Sequence, residues 1–67
     1  MHLRINGKEA ELAATTIGEL LAAQGIDPHT RFLAVAVNGI VVRRAEWPMA
    51  PLAAGDNVEI VRPFQGG

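Results

Sequence analysis

The sequence contains no cysteine and no serine among its 67 residues. Without cysteine, the chain cannot form disulfides, zinc-thiolate sites or a thiol nucleophile. A sulfur atom handled by this protein would therefore have to be attached to some group other than a cysteine side chain.

The sequence also has no excess of charge of one sign and no long apolar run. The chain has six Lys/Arg residues and seven Asp/Glu residues, which gives a net charge of −1. With no basic stripe to neutralise phosphates, we expect no nucleic-acid partner. No segment approaches the length of a membrane span, and the Asn6-Gly7 turn comes too early for a signal peptide. We therefore expect a soluble cytoplasmic protein with no membrane partner.

Side chains suited to catalysis are few. The two histidines, His2 and His29, are far apart in the sequence and lack metal-ligand spacing. Thr15 and Thr16 are explained by helix capping. We therefore expect no catalytic residue, no metal site and no bound cofactor.

The first half of the chain predicts a hairpin followed by a helix. Alternating apolar residues indicate strands over residues 2–6 and 8–12, joined by the Asn6-Gly7 turn. Thr16 and Glu19 have capping-box spacing, and the apolar periodicity predicts a helix over residues 17–24. A helix this short needs packing against a sheet to be stable.

The second half predicts another hairpin and a final strand. Strands are expected over residues 31–37 and from Ile40 onward, around an Asn38-Gly39 turn. Two prolines make residues 45–52 an irregular crossing with one short helical turn. The last strand is expected over residues 57–62.

This order of elements predicts an α+β fold of the ubiquitin-like β-grasp type. One main helix would pack across a mixed sheet of four or five strands, with the last strand parallel to the first. We expect a single domain over residues 1–67 with a flexible C-terminal tail at residues 63–67.

The glycine pair Gly66-Gly67 follows the last strand after a short spacer. Two glycines present no Cβ to a narrow tunnel, so a partner's catalytic centre could take in the terminal carboxylate. Ordinary fraying of a terminus, or a cloning scar, would explain the pair equally simply. Val61 should point away from the core, and Phe64 lies beyond the strand. Both are candidate docking residues, although Phe64 could instead fold back onto the domain.

Trp47 and three arginines also require an interpretation. Trp47 is interpreted as a core or rim anchor. Arg43 and Arg44, together with Arg62 if it lies nearby on the sheet, could form a basic patch for an acidic partner. We favour the simpler reading, in which they keep the sheet surface solvated.

Over essentially the whole chain the sequence resembles the ThiS family, the sulfur carriers of thiamine biosynthesis. The most specific part is the Asn38-to-Trp47 block, with Arg44 and Trp47 at the family's spacing, combined with the terminal glycines. Gly55-Asp56 after this block is a more general match. Ile5-Asn6-Gly7 and Thr16-Ile17 also match. The chain departs from the family in having Arg43 where proline is common. It also has Gln65 where alanine or glycine is common, which bears on the partner that fits the tail.

The resemblance implies that the Gly67 carboxylate is adenylated by an E1-like enzyme of the ThiF type, which uses ATP. A persulfide donor such as a cysteine desulfurase would then supply sulfur, giving a thiocarboxylate used by a thiazole synthase of the ThiG type. Gly66 and Gln65 would give the terminus access to these active sites. The carrier itself would not be an enzyme.

Three alternatives remain open at this point. The chain could be a carrier for another pathway, such as the molybdopterin-synthase small subunit (MoaD), cysteine synthesis or a natural-product route. It could be a protein modifier that forms isopeptide bonds, or a plain interaction module.

Overall fold

The computed structural model describes residues 1–62. The predicted tail at residues 63–67 lies outside this part of the chain. The described elements are five strands, one α-helix and one 3₁₀ turn: β1 His2–Ile5, β2 Lys8–Glu11, α1 Ile17–Ala23, β3 Ala34–Val37, β4 Ile40–Val42, the 3₁₀ turn Arg44–Glu46 and β5 Asn57–Val61.

The strands form one sheet in the order β2-β1-β5-β3-β4. β5 lies in the centre, parallel to β1 and antiparallel to β3, and the two hairpins lie on either side of it. The predicted β-grasp arrangement is therefore confirmed, including the parallel pairing of the last strand with the first.

Both hairpins turn at an Asn-Gly pair. The backbone φ angles are +50° at Asn6 and +82° at Gly7, and +52° at Asn38 and +84° at Gly39. Two consecutive positive φ angles match the twist of the flanking strands, and asparagine and glycine tolerate them best. The turn chemistry read from the sequence thus fixes the register of both hairpins.

Helix α1 begins with a modified capping box. The Thr16 hydroxyl accepts a hydrogen bond from the Glu19 N–H at 3.1 Å. The Glu19 carboxylate accepts from the Thr15 N–H at 2.8 Å and from the Thr15 hydroxyl at 2.9 Å, one residue earlier than in the standard motif. The two hydrogen bonds from Thr15 hold the pKa of Glu19 below its ordinary range, and the bond from the Thr15 backbone has the larger effect.

One continuous core lies between α1 and the inner face of the sheet. Its fully buried side chains come from β1, α1, β3 and β5: Leu3, Ile17, Leu20, Leu21, Val35 and Val58. Trp47 is 2% exposed, which confirms its interpretation as a core anchor. Its indole N–H donates to the Val42 carbonyl at 2.8 Å, so burial leaves no unpaired donor.

The crossing that follows β4 runs against the start of α1. The N–H of Ile17 donates to the Ala50 carbonyl at 3.0 Å, and that of Gly18 to the Trp47 carbonyl at 2.9 Å. A Cβ on Gly18 would lie 3.2 Å from the Pro48 Cα. Glycine is thus needed for the close approach that lets the crossing satisfy N–H groups at the helix start.

Several boundaries differ from the sequence-based expectation. The third strand was expected from residue 31 but begins at Ala34, because Phe32 has a φ of +64° and belongs to a turn. The helix ends at Ala23 rather than at residue 24, since Gln24 is its C-cap. Among residues 1–62, no helix is long and apolar enough to cross a bilayer.

Candidate functional site

The predicted site lies mostly beyond the described part of the chain. Gly67, Gly66, Gln65 and Phe64 fall outside residues 1–62, so their roles remain predictions. Val61 and Arg62 are the last residues that the structure places. We call Ile60, Val61 and Arg62 the root of the tail, and the geometry described below is that of the root.

The root is held by hydrogen bonds on both sides of β5. On one side Val61 pairs with Ala34 at the start of β3. On the other side β1 pairs only as far as Ile5 with Val58, after which the chain turns away. The Asn6 side chain continues the pairing, because its Oδ1 accepts from Ile60 N–H at 2.7 Å and its Nδ2 donates to Ile60 O at 3.1 Å. Hydrogen bonds on both sides therefore hold the end of β5 in place up to the tail.

The outer face of the sheet, opposite α1, has an apolar strip at the root. We define the apolar strip as Ala34, Ala36, Val41 and Val61, which share this face by register. Val41 is 71% exposed and Val61 is 61% exposed. Val61 therefore points away from the core as expected, and its role in docking stays a prediction.

The other half of the outer face is charged. His2 Nε2 lies 2.9 Å from a Glu9 oxygen, and Arg4 lies 3.9 Å from the second oxygen of the same carboxylate. These exposed pairs contribute little stability. They confine the apolar surface of the sheet to β3, β4 and the end of β5, next to the root.

The structure places Phe32 differently from the sequence-based expectation. The apolar run of residues 31–37 placed it in a strand, whereas it lies in a turn and is 76% exposed. It stands two residues before Ala34, the partner of Val61, and is thus beside the root. No sequence signal indicates a positive φ at a phenylalanine, so the pattern could not have revealed it.

The arginines have different roles in the structure. The Arg44 guanidinium donates to the Thr30 carbonyl at 2.8 Å and stacks 4.8 Å from the Trp47 ring centroid. It therefore ties the segment before β3 to the crossing. Arg43 forms an exposed ion pair with Glu46 at 3.4 Å. The two side chains are thus accounted for by contacts within the domain rather than by a basic patch.

No catalytic constellation is found in the part of the chain that the structure describes. His29 lies in an exposed turn, where its backbone N–H donates to Asp27 Oδ1 at 2.8 Å. Residues 1–62 contain no group of three or more His, Cys, Asp or Glu side chains that could hold a metal ion. An open apolar groove of about 380 Å³ lies beside Ile17, Val42 and Met49, and among its described lining residues only Glu46 is ionisable. A groove with one titratable group does not supply an acid–base pair.

A model of the ThiS family matches residues 3–67 of this chain. The chain is similar to a crystal structure of the thiamine biosynthesis protein ThiS from Geobacter metallireducens. The match covers 100% of both chains, with a TM-score of 0.80 and 28% sequence identity. An NMR solution structure of a thiamine biosynthesis protein from Geobacter metallireducens has a TM-score of 0.78 and 28% identity. It is matched over 100% of this chain and 88% of the other. No match was found among curated protein sequences.

Proposed function

The chain belongs to the ThiS family, and from this premise we propose that it carries sulfur on the C-terminal carboxylate of Gly67 for thiazole formation in thiamine biosynthesis. The family assigned from the Asn38-to-Trp47 block is thereby confirmed, and membership supports a sulfur carrier role. The thiocarboxylate, its donor and its acceptor are the proposal. The proposed location is the cytoplasm.

The observation that best supports this proposal is the position of β5. The strand that leads to the terminus is the central strand, bonded to β1 and β3. A tail attached there leaves from a rigid body, and two terminal glycines offer no side chain to obstruct a narrow active site. A fixed root with a thin end suits a chain whose terminus is a substrate for other proteins.

The proposed chemistry begins with activation of a poor electrophile. A Gly67 carboxylate oxygen attacks the α-phosphorus of ATP in the active site of a ThiF-type enzyme, and pyrophosphate leaves. The resulting acyl-adenylate is a mixed anhydride with AMP as a good leaving group. ATP is thus a substrate of the partner and not a cofactor bound by this chain.

Sulfur transfer follows at the same carbon. The terminal sulfur of a persulfide, supplied by a cysteine desulfurase, attacks the acyl carbon and AMP leaves. A thiol then reduces the S–S bond of the acyl disulfide, which releases the thiocarboxylate and forms a new disulfide on the thiol side. Because the chain has no cysteine, no side-chain thiol competes for the sulfur. A ThiG-type thiazole synthase is the proposed acceptor.

Intact-mass measurement tests this proposal. The full chain is incubated with its cognate activating enzyme, ATP and a persulfide donor. Exchange of one oxygen for one sulfur is expected, and fragmentation should locate it at Gly67. Adducts joined to lysines of other proteins would instead indicate a protein modifier.

Deletion of Gly67 is the matched control. The shortened chain should keep its Tm, because it retains every buried core residue that the structure describes, and should no longer acquire sulfur. Full sulfur loading of the shortened chain would refute the proposal. So would the absence of any thiocarboxylate on the intact chain when the partners are active on another carrier.

A further inference from the structure

The length of the tail restricts where an activating enzyme can bind. Five residues follow Arg62, and a fully extended chain of that length spans at most about 18 Å. If Gly67 is the substrate, as the proposed function requires, the enzyme surface must lie against the end of the sheet from which β5 emerges. The described residues at that end include Val61, its partner Ala34 and the turn before β3.

Phe32 is the most exposed apolar side chain of that turn. Its burial by a partner would favour binding. Only Leu33 separates Phe32 from Ala34, so its Cα lies within about 7 Å of the strand that flanks the root. It is 76% exposed, and it does not belong to the core. A large aromatic that the domain itself does not bury is available to a partner.

The backbone at Phe32 has a conformation that suits glycine. Phe32 is the third residue of a four-residue turn in which the Leu33 N–H donates to the Thr30 carbonyl at 3.4 Å. Its φ is +64°, a value for which this turn position favours glycine or asparagine. The other described residues with positive φ are all of those two types: Asn6, Gly7, Gly25, Asn38, Gly39 and Gly55. Phenylalanine at this one position therefore opposes local stability, a pattern typical of a functional residue.

Charge beside Phe32 indicates the chemistry of the partner surface. The Arg31 guanidinium lies 5.4 Å from the Phe32 ring centroid. Within residues 1–62, neither Arg31 nor Arg62 has a carboxylate at ion-pair distance. An apolar pocket bordered by an acidic side chain would therefore match this turn in both shape and charge.

We infer that Phe32, with Arg31 stacked on it, is a docking residue for the enzyme that adenylates Gly67, and that it inserts into an apolar pocket with an acidic rim. This inference rests on the proposed function, since only a partner that acts on the terminus must cover this end of the sheet. Phe32 takes no part in the chemistry. Its effect is on the binding of the carrier.

The test compares Phe32→Gly, Phe32→Asn and Phe32→Tyr in the full chain. Pyrophosphate release by the cognate activating enzyme is measured as a function of carrier concentration. The KM for Phe32→Gly and Phe32→Asn should rise about tenfold or more, with kcat within about twofold. Phe32→Tyr, which keeps the aromatic ring, should stay within about threefold of the parent. Met49→Ala, a change at a 78% exposed residue on the helix side of the sheet, should leave the KM unchanged.

Two further readouts separate docking from folding and from the proposed function. The Tm of Phe32→Gly and Phe32→Asn should be equal to or above that of the parent chain, because both residues accept positive φ. Arg31→Ala should raise the KM less, and that increase should shrink at high salt.

An unchanged KM for Phe32→Gly, with the parent adenylated normally, overturns this inference alone. A defect confined to sulfur delivery to the thiazole synthase overturns the choice of partner. A parent chain that is never adenylated overturns both proposals.

Discussion

Asn6 and Ile60 are 54 residues apart in the sequence, yet the Asn6 side chain bonds both backbone groups of Ile60, at 2.7 and 3.1 Å. Asn6 thus has two functions. Its backbone forms the first hairpin turn with a φ of +50°, and its amide takes the place of the β1 backbone beside β5. The second hairpin turn is similar, since Asn38 Oδ1 accepts from the Asn57 N–H at 2.9 Å. Each Asn-Gly turn therefore also holds the last strand.

Replacing Asn6 with glycine isolates the side-chain contribution, because glycine keeps the positive φ. We expect the free energy of unfolding to fall by about 2 kcal/mol, since two partly buried backbone groups lose their partners. Asn38→Gly is the matched control and should cost about 1 kcal/mol or less, because its bonds are solvent-exposed. Urea denaturation of both variants measures the difference. Equal losses in the free energy of unfolding would show that the Asn6 bonds to Ile60 stabilise the fold no more than the exposed bonds of Asn38.

Gly18→Ala tests the close approach of the crossing to α1. Alanine is favoured over glycine within a helix by about 1 kcal/mol. Here its Cβ would lie 3.2 Å from the Pro48 Cα and 3.4 Å from the Trp47 carbonyl oxygen. We expect a net loss of about 1–2 kcal/mol, because backbone atoms cannot rotate away from the contact. Thermal unfolding should show a lower Tm.

Ala23→Gly provides the reference for that experiment. Ala23 is exposed on the same helix, so the change should cost only the propensity difference of about 0.5–1 kcal/mol. A rise in Tm for Gly18→Ala would mean that the crossing moves aside easily.

The Glu19 cap predicts a pH dependence of stability. Hydrogen bonds from the Thr15 N–H, and next from the Thr15 hydroxyl, lower the pKa of Glu19 from its ordinary 4.5. Below that value the unfolded chain binds more protons at this residue than the folded chain does. The stabilisation is therefore complete above 4.5 and is lost as the pH falls through the folded pKa.

Thermal unfolding of the parent chain and of Glu19→Gln, measured from about pH 3 to pH 7, checks this expectation. The Tm difference between them should be largest at neutral pH and should narrow in acid. Glu59→Gln, on the outer face of the sheet away from the helix, controls for the loss of one charge. A Tm difference that stays constant with pH would contradict the capping role of the carboxylate.

Val61→Ser tests the apolar strip as a docking surface. Because Val61 is exposed, the fold should lose little stability, within about 0.5–1 kcal/mol. Removal of an apolar contact near the root should raise the KM for the activating enzyme by about three- to tenfold. Ile40→Ser is the control, since Ile40 is at least as exposed as Val61 but pairs with Val37 and so has the register of the inner face. An equal effect of the two substitutions would exclude specific docking at Val61.

Most of the fold could be predicted from the sequence because its signals are local. The Asn-Gly pairs determine both hairpins, and the spacing of Thr16 and Glu19 marks the helix start. Alternation in the last strand indicates correctly that Val58 and Ile60 face inward and that Val61 faces outward.

The features that could not be predicted depend on contacts distant in sequence or on rare backbone geometry. The side-chain link from Asn6 to Ile60 requires knowledge of the strand order. The close contact of Gly18 with Pro48 depends on where the crossing packs against the helix. Phenylalanine rarely adopts a positive φ such as that of Phe32. The apolar pattern of residues 31–37 therefore predicts a strand that continues through this residue.

The central position of β5 also has a consequence for biosynthesis. The two hairpins flank β5, and in the strand order neither hairpin adjoins the other. A nascent chain that has not yet reached Asn57–Val61 therefore contains two separate hairpins and no complete sheet, and two-stranded hairpins are marginal in water. Prematurely terminated chains would stay unfolded and be open to proteolysis. Only chains translated through the strand that precedes the terminal glycines would survive to meet a partner enzyme.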